Sequence, residues 1–138
     1  MSIKIVDIGV KLRDYLLASD DISDLIDIRL YVGSIPKDKK GEAKSQPNPK
    51  VGMWQDGGDP RGANYRYKFL CRADSLQEAR EVAILVANRL TNENFELEDD
   101  DGNNIAYWAE LEGSLLDTAD EVTGKPEVFF NINFESLY

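Results

Sequence analysis

Between Tyr65 and Thr91 two hydrophobic periods follow one another with a sharp switch, and this stretch restricts the possible folds more than any other part of the chain. Tyr65, Tyr67, Phe69, Cys71 and Ala73 alternate with Arg66, Lys68, Leu70 and Arg72. That period of two predicts a strand with one buried face. Ser75 and Glu78 then stand in the S-x-x-E relation of a capping box, which predicts a helix start. Leu76, Ala79, Ala83, Val86 and Leu90 follow at spacings of three and four, so one apolar stripe runs along a helix ending near Arg89 or Leu90. Only Asp74 separates strand from helix, and the helix must therefore fold straight back onto the strand's own sheet. Nothing in this unit carries chemistry.

The flanking segments extend the pattern. Ile5, Ile8, Leu12, Tyr15 and Leu16 predict an opening helix from about Ile5 to Ala18, weakened slightly by Gly9. Ile22, Leu25 and Ile26 suggest a short helical turn, and Ile28 to Val32 reads as a strand closed by Gly33 and Pro36. Pro36 to Lys50 is almost without apolar residues and holds three of the five prolines, so it is expected to be a mobile loop. Val51 to Gln55 reads as a strand, and DGGDPRG as a turn that pairs it with the Tyr65 strand. A second hairpin is expected from Phe95 and Leu97, through DDDGNN, to Ile105, Tyr107, Ala109 and Leu111. The closing strand places Val128, Phe130, Ile132 and Phe134 on one face and Glu127, Asn131, Asn133 and Glu135 on the other, with Phe129 an exception. One α/β (α+β) domain spanning residues 1–138 follows: a largely antiparallel or mixed sheet covered by two main helices.

Functional chemistry is thin. The chain has no histidine, which removes the commonest general base and metal ligand and every nucleophile–histidine arrangement. Its single cysteine, Cys71, lies on the inward side of a strand and reads as a small buried hydrophobe. No apolar run is long enough for a membrane helix. Asp99, Asp101, Asn103 and Glu110 imitate an EF-hand calcium loop, but Asn104 stands where the sharp turn wants glycine and a strand follows instead of a helix. The acidic run reads as a solvated hairpin tip; no phosphate loop occurs, and no cofactor or metal is expected.

Charge is the other informative property, because 26 acids against 16 basic residues leave a formal net charge of −10. Its distribution is lopsided: Pro36 to Lys50 has a net of +3, from five lysines against Asp38 and Glu42, whereas Glu93 to Glu127 has a net of −11. An acidic chain is a poor binder of phosphate backbones, so sequence-specific DNA binding is not expected.

The whole pattern resembles the tail-terminator or tail-completion proteins of long-tailed bacteriophages, including members called minor tail or minor capsid proteins. The residues that carry the resemblance are the opening helix, RLYVGSIP, the polar loop, DGGDPR, YRYKFLCRADSLQEAREVAILVANRL and PEVFFNINFESLY, which together span nearly the full chain. The resemblance implies a small α/β structural virion protein and no enzyme. It implies a homo-oligomeric, six-fold ring on the head-proximal end of the tail tube that stops tube growth and meets the head–tail connector or stopper. It also implies DNA passing through the ring, no membrane partner, and assembly in the bacterial host cytoplasm. The alternatives are another connector or stopper subunit, an acidic metal-binding enzyme, and a DNA mimic.

Three sets of surface residues are expected to make contacts. Lys37, Lys39, Lys40 and Lys44 are placed against an acidic neighbour, and Asp56, Asp59 and Arg61 at the tip of a projecting turn against a partner. On the central helix, 100° per residue puts Leu85 on the far side from the sheet and Ile84 on a flank, so both are assigned to a subunit interface.

Overall fold

A computed structural model describes residues 8–33, 35, 47–59 and 64–135 of the chain. Three helices, α1 (Ile8–Leu17), α2 (Asp20–Ile26) and α3 (Leu76–Leu90), lie on one side of a five-stranded sheet. The sheet is built from β1 (Leu30–Val32), β2 (Lys50–Asp59), β3 (Asn64–Arg72), β6 (Trp108–Ala119) and β7 (Pro126–Glu135), in the order β1-β2-β3-β7-β6. Only β1 and β2 run parallel; the other neighbours are antiparallel. Two short strands, β4 (Leu97–Glu98) and β5 (Asn104–Ala106), form a separate ribbon. The domain is α+β, as its sequence predicts.

Strand alternation divides the sheet into two unlike faces. Val51, Met53, Phe69, Cys71, Val128, Phe130, Ile132 and Phe134 are wholly or almost wholly buried under the helices. The Phe69 and Phe130 rings stack at 5.2 Å between adjacent strands. From the helix layer, Leu12, Leu16, Ile22, Ile26, Ala79, Val82, Ala83, Val86 and Leu90 enter the same core. The Ser75 hydroxyl accepts a hydrogen bond from the Glu78 N–H at 3.2 Å and caps α3, a contact that contributes about 1 kcal/mol.

Three arginines, Arg13 of α1, Arg89 of α3 and Arg29 between α2 and β1, tie elements together by donating to backbone carbonyls. Arg13 Nε donates to the Leu30 carbonyl at 2.9 Å, and Arg29 Nε to that of Pro49 at 3.0 Å. The Arg89 guanidinium lies 4.2 Å from the centre of the Tyr15 ring while its Nε donates to the Tyr15 carbonyl at 2.9 Å. One side chain thus holds α3 to α1.

Several sequence expectations are corrected. Within the described residues α1 begins at Ile8, and residues 5–7 of the expected helix lie outside them. The first strand is shorter than Ile28 to Val32: Ile28 is 68% exposed, because α2 ends at Asp27 with φ of 54° and the chain turns before it enters the sheet. Lys50 is not a loop residue but the first residue of β2, and only 1% of it is exposed. The expected strand from Ile105 to Leu111 is two strands. At Tyr107 the backbone N–H donates to the Glu135 carbonyl, and from Trp108 onward the chain pairs with β7 instead of β4. Tyr107, assigned to an inward position, is exposed at this change of partner. β6 then continues to Ala119 through a register shift between Glu112 and Leu116, a length the weak alternation of that segment hides.

The turn expected at DGGDPRG begins later than its glycines suggest. Asp56, Gly57, Gly58 and Asp59 still belong to β2, with a bulge between Gln55 and Gly58. Gly58 has φ of 104°, and a Cβ there would stand 2.7 Å from the Asn64 carbonyl oxygen. Gly58→Ala combines backbone strain with a clash against a paired strand, and is expected to cost about 1–3 kcal/mol in urea unfolding. A loss below about 0.5 kcal/mol would show that the bulge is not held at this residue.

Candidate interaction surface

The helix layer covers one face of the sheet only. Among the described residues the other face carries no helix, and the antiparallel register lines up its side chains in rows. Lys50, Arg72, Glu127 and Thr118 form one row, Gly52, Leu70, Phe129 and Leu116 the next, and Trp54, Lys68, Asn131 and Glu112 a third. The middle row is apolar, with Ile35 packed over Gly52; a Cβ at Gly52 would come within 2.9 Å of the Ile35 side chain. Phe129, the exception to the polar face, supports the ammonium group of Lys68 at 4.7 Å from its ring centre. Leu116 is 48% exposed in that row.

At one end of this face lies an ion triad. Arg72 Nε donates to Glu127 at 3.0 Å, and Arg72 Nη2 stands 3.3 Å from an Asp120 carboxylate oxygen. The β6–β7 turn presents Asp120 through bonds of its own: the Thr123 hydroxyl donates to the carboxylate at 2.7 Å and the Thr123 N–H at 3.0 Å. Burial pushes the Asp120 carboxyl up, but the Thr123 bonds and the Arg72 charge outweigh it and hold the group below its ordinary value. For Glu127 burial wins, and its carboxyl stays above the ordinary value despite Arg72. Beside the triad is a groove of about 440 Å³, walled by Ile35, Trp54, Leu70 and Val122.

The opposite outer surface is the exposed side of α3. There the expected roles of two residues are exchanged. Ile84 is the outward residue, 46% exposed, while Leu85 is half-buried and packs against the core. The cause is α2, which lies against α3, so that Leu85 faces a cleft it shares with Tyr15, Ser19 and Ile22 of its own chain. Periodicity located the sheet-facing stripe from Ala79 to Leu90, though Leu76, assigned to it, is 40% exposed in the first turn, and it carried no information about this second covering layer.

The other assigned residues are scattered. Asp56 is half-buried in β2, where its carbonyl accepts a hydrogen bond from Arg66 Nε and its carboxylate lies 3.6 Å from Arg66 Nη2. It is a structural partner in the sheet, not the tip of a projecting turn. The Asp59 backbone pairs with Asn64. Lys37, Lys39, Lys40, Lys44 and Arg61 lie outside the described residues.

The EF-hand-like run is engaged in its own turn and in one ion pair. One Asp99 carboxylate oxygen accepts from the N–H groups of Asp101 at 3.0 Å and Asn103 at 2.8 Å, closing the turn of the EF-hand-like run, and Asp100 pairs with Lys11. Among the described residues no group of three or more Asp, Glu or Cys is placed to hold a metal ion. Burial pushes the Cys71 thiol far up, so it remains protonated at neutral pH. No described helix is long and apolar enough to cross a membrane.

No family model matches the chain, and no curated protein matches it. A solved structure does. It is a chain of the "Virion of native gene transfer agent (GTA) particle", 12% identical in sequence, with a TM-score of 0.65 over 94% of this chain and 93% of that one. At such low identity the likeness speaks for the fold, and it runs through both chains almost end to end: this chain has the fold of a chain in a gene transfer agent virion.

Proposed function

We propose that this chain is a structural virion protein that assembles as a ring on the head-proximal end of a tail tube, stops tube growth and forms the surface to which the head attaches. The observation that carries the reading is the near-complete fold likeness to a chain of a virion particle. The two outer surfaces support it, since a two-layer domain with apolar residues on both outer faces is suited to stacking against copies and partners. Tail tube protein on one side and a connector or stopper on the other are its partners. The net charge of −10 lets DNA pass the ring without phosphate contacts that would retain it. Ile84 belongs to the subunit contact, with Leu85 at its margin, and Lys37, Lys39, Lys40 and Lys44 add salt-sensitive attraction to acidic neighbours.

Electron microscopy of tails assembled without this protein tests the proposal. Abnormally long tubes are expected. Tubes of normal length that fail to acquire heads would instead assign the chain to the connector side of the joint.

A further inference from the structure

A sheet with helices on one face and a half-apolar second face is an unfinished three-layer structure. Here both halves of the missing contact are present on one molecule, on opposite outer surfaces. The sheet face that no described helix covers offers Trp54, Leu70, Phe129 and Leu116. The outer side of α3 offers Ile84 and a hollow of about 390 Å³ that also includes Gln77, Arg80, Glu81 and Leu85. Beside the apolar residues, the sheet face carries the cation Lys68 and the α3 surface the anion Glu81. Among the described residues Lys68, resting on the Phe129 ring, has no carboxylate partner and Glu81 no cationic one, whereas Arg66, Arg72 and Arg80 are all paired within the chain.

We infer that the outer side of α3 on one copy docks onto this sheet face of a second copy, with Ile84 against the apolar row of Leu70, Phe129 and Leu116 and Glu81 beside Lys68. The occupant is a second copy because apolar and charged features match between two surfaces of the same chain. Val122, 60% exposed at the rim of the sheet groove, is free to enter the hollow beside Ile84 in return. The two surfaces differ, so the contact is head-to-tail, and repeating it produces a closed ring or an open helix instead of a symmetric dimer. This inference rests on the ring reading and deepens it by naming both sides of the subunit contact.

The test is self-association of the full chain, followed by sedimentation, in wild type, Lys68→Glu, Glu81→Lys and the charge-swapped double variant. Each single reversal places like charges beside a desolvated patch and is expected to weaken association about tenfold or more, and the double variant to recover to within about threefold of wild type. Ile84→Asp should leave a folded monomer. A second readout uses Lys68→Cys/Glu81→Cys under mild oxidation. The two positions lie on opposite surfaces and cannot bond within one copy, and native Cys71 is buried, so a ladder of linked copies is expected. The docking is overturned if wild type stays monomeric at about 1 mM subunits, a concentration at which even a weak specific contact is populated. It is also overturned if the single reversals associate normally, if the double variant is no better than they are, or if no ladder forms. Variants that lose association while particles still carry tails of normal length would uphold the docking and remove the tail-terminator reading.

Discussion

Arg72→Ala is expected to destabilise the domain by about 3–5 kcal/mol at neutral pH, because it leaves Glu127 as a buried carboxylate without its counter-charge. Arg72 and Glu127 are directly opposed on β3 and β7, and each side chain is less than a tenth exposed. The pH dependence has a definite sign. Burial already holds the Glu127 carboxyl above its ordinary value, and Arg72 is what opposes the rise. Without Arg72 the folded-state value climbs further while the unfolded value does not change. The folded chain then binds that proton more tightly than the unfolded one, so stability is lost as pH rises from the ordinary carboxylate range through the raised value. Asp120 acts in the same direction: its carboxyl is held low, and the Arg72 part of that stabilisation is present near neutrality but lost on acidification. The deficit of the variant should therefore shrink between about pH 7 and about pH 4.5 in urea titrations. A deficit that is constant with pH would mean that Arg72 acts through packing alone. Replacing both partners, as in Arg72→Met/Glu127→Leu, should recover most of the loss, because no buried charge is left unmatched.

Phe134→Ala should have an effect of similar size, about 3–5 kcal/mol, for a different reason. The ring is fully buried, 5.9 Å from the Tyr67 ring on β3 and 5.6 Å from that of Phe95. Phe95 in turn meets Tyr15 of α1 edge-on at 5.2 Å. Truncation leaves a cavity where the sheet, α1 and the segment before β4 converge, and neighbours fixed in three elements cannot collapse to fill it. Denaturant unfolding should show the loss as a lowered midpoint with an unchanged slope. A cost below about 1 kcal/mol would mean that the site relaxes, and that the aromatic chain is not a keystone of the core.

Local periodicity was enough for β3, α3 and β7, since each has a long run whose one buried face meets a single covering layer. The same rule failed where a residue's surroundings come from more than one element. Leu85 lies off the sheet-facing stripe, yet α2 covers its flank. Tyr107 keeps the alternation of its neighbours, yet the chain changes partner there and leaves it exposed. β6 was hard to find because most of its residues are exposed at the sheet edge, and an edge strand with one bare face has little apolar alternation to display. The glycines of DGGD suggested a turn for sound conformational reasons, but positive φ also serves a bulge within a strand.

The candidate surface divides in the same way. The acidic balance, the missing histidine and the off-stripe position of Ile84 are properties of the chain as written, and they direct attention from catalysis toward assembly. Burial of Arg72 and Glu127 on the face marked as polar, and of Lys50 at the end of the expected loop, is decided only by tertiary structure. A strand pattern states which face a side chain takes, whereas the desolvation of that side chain depends on what distant segments bring to it, here the Asp120 turn and the neighbouring strands. Sequence therefore determined the two faces of the sheet and the helix that covers one of them. Only the assembled fold decided that, among the described residues, no helix covers the other face and that face is half-apolar, because coverage depends on where each element finally packs.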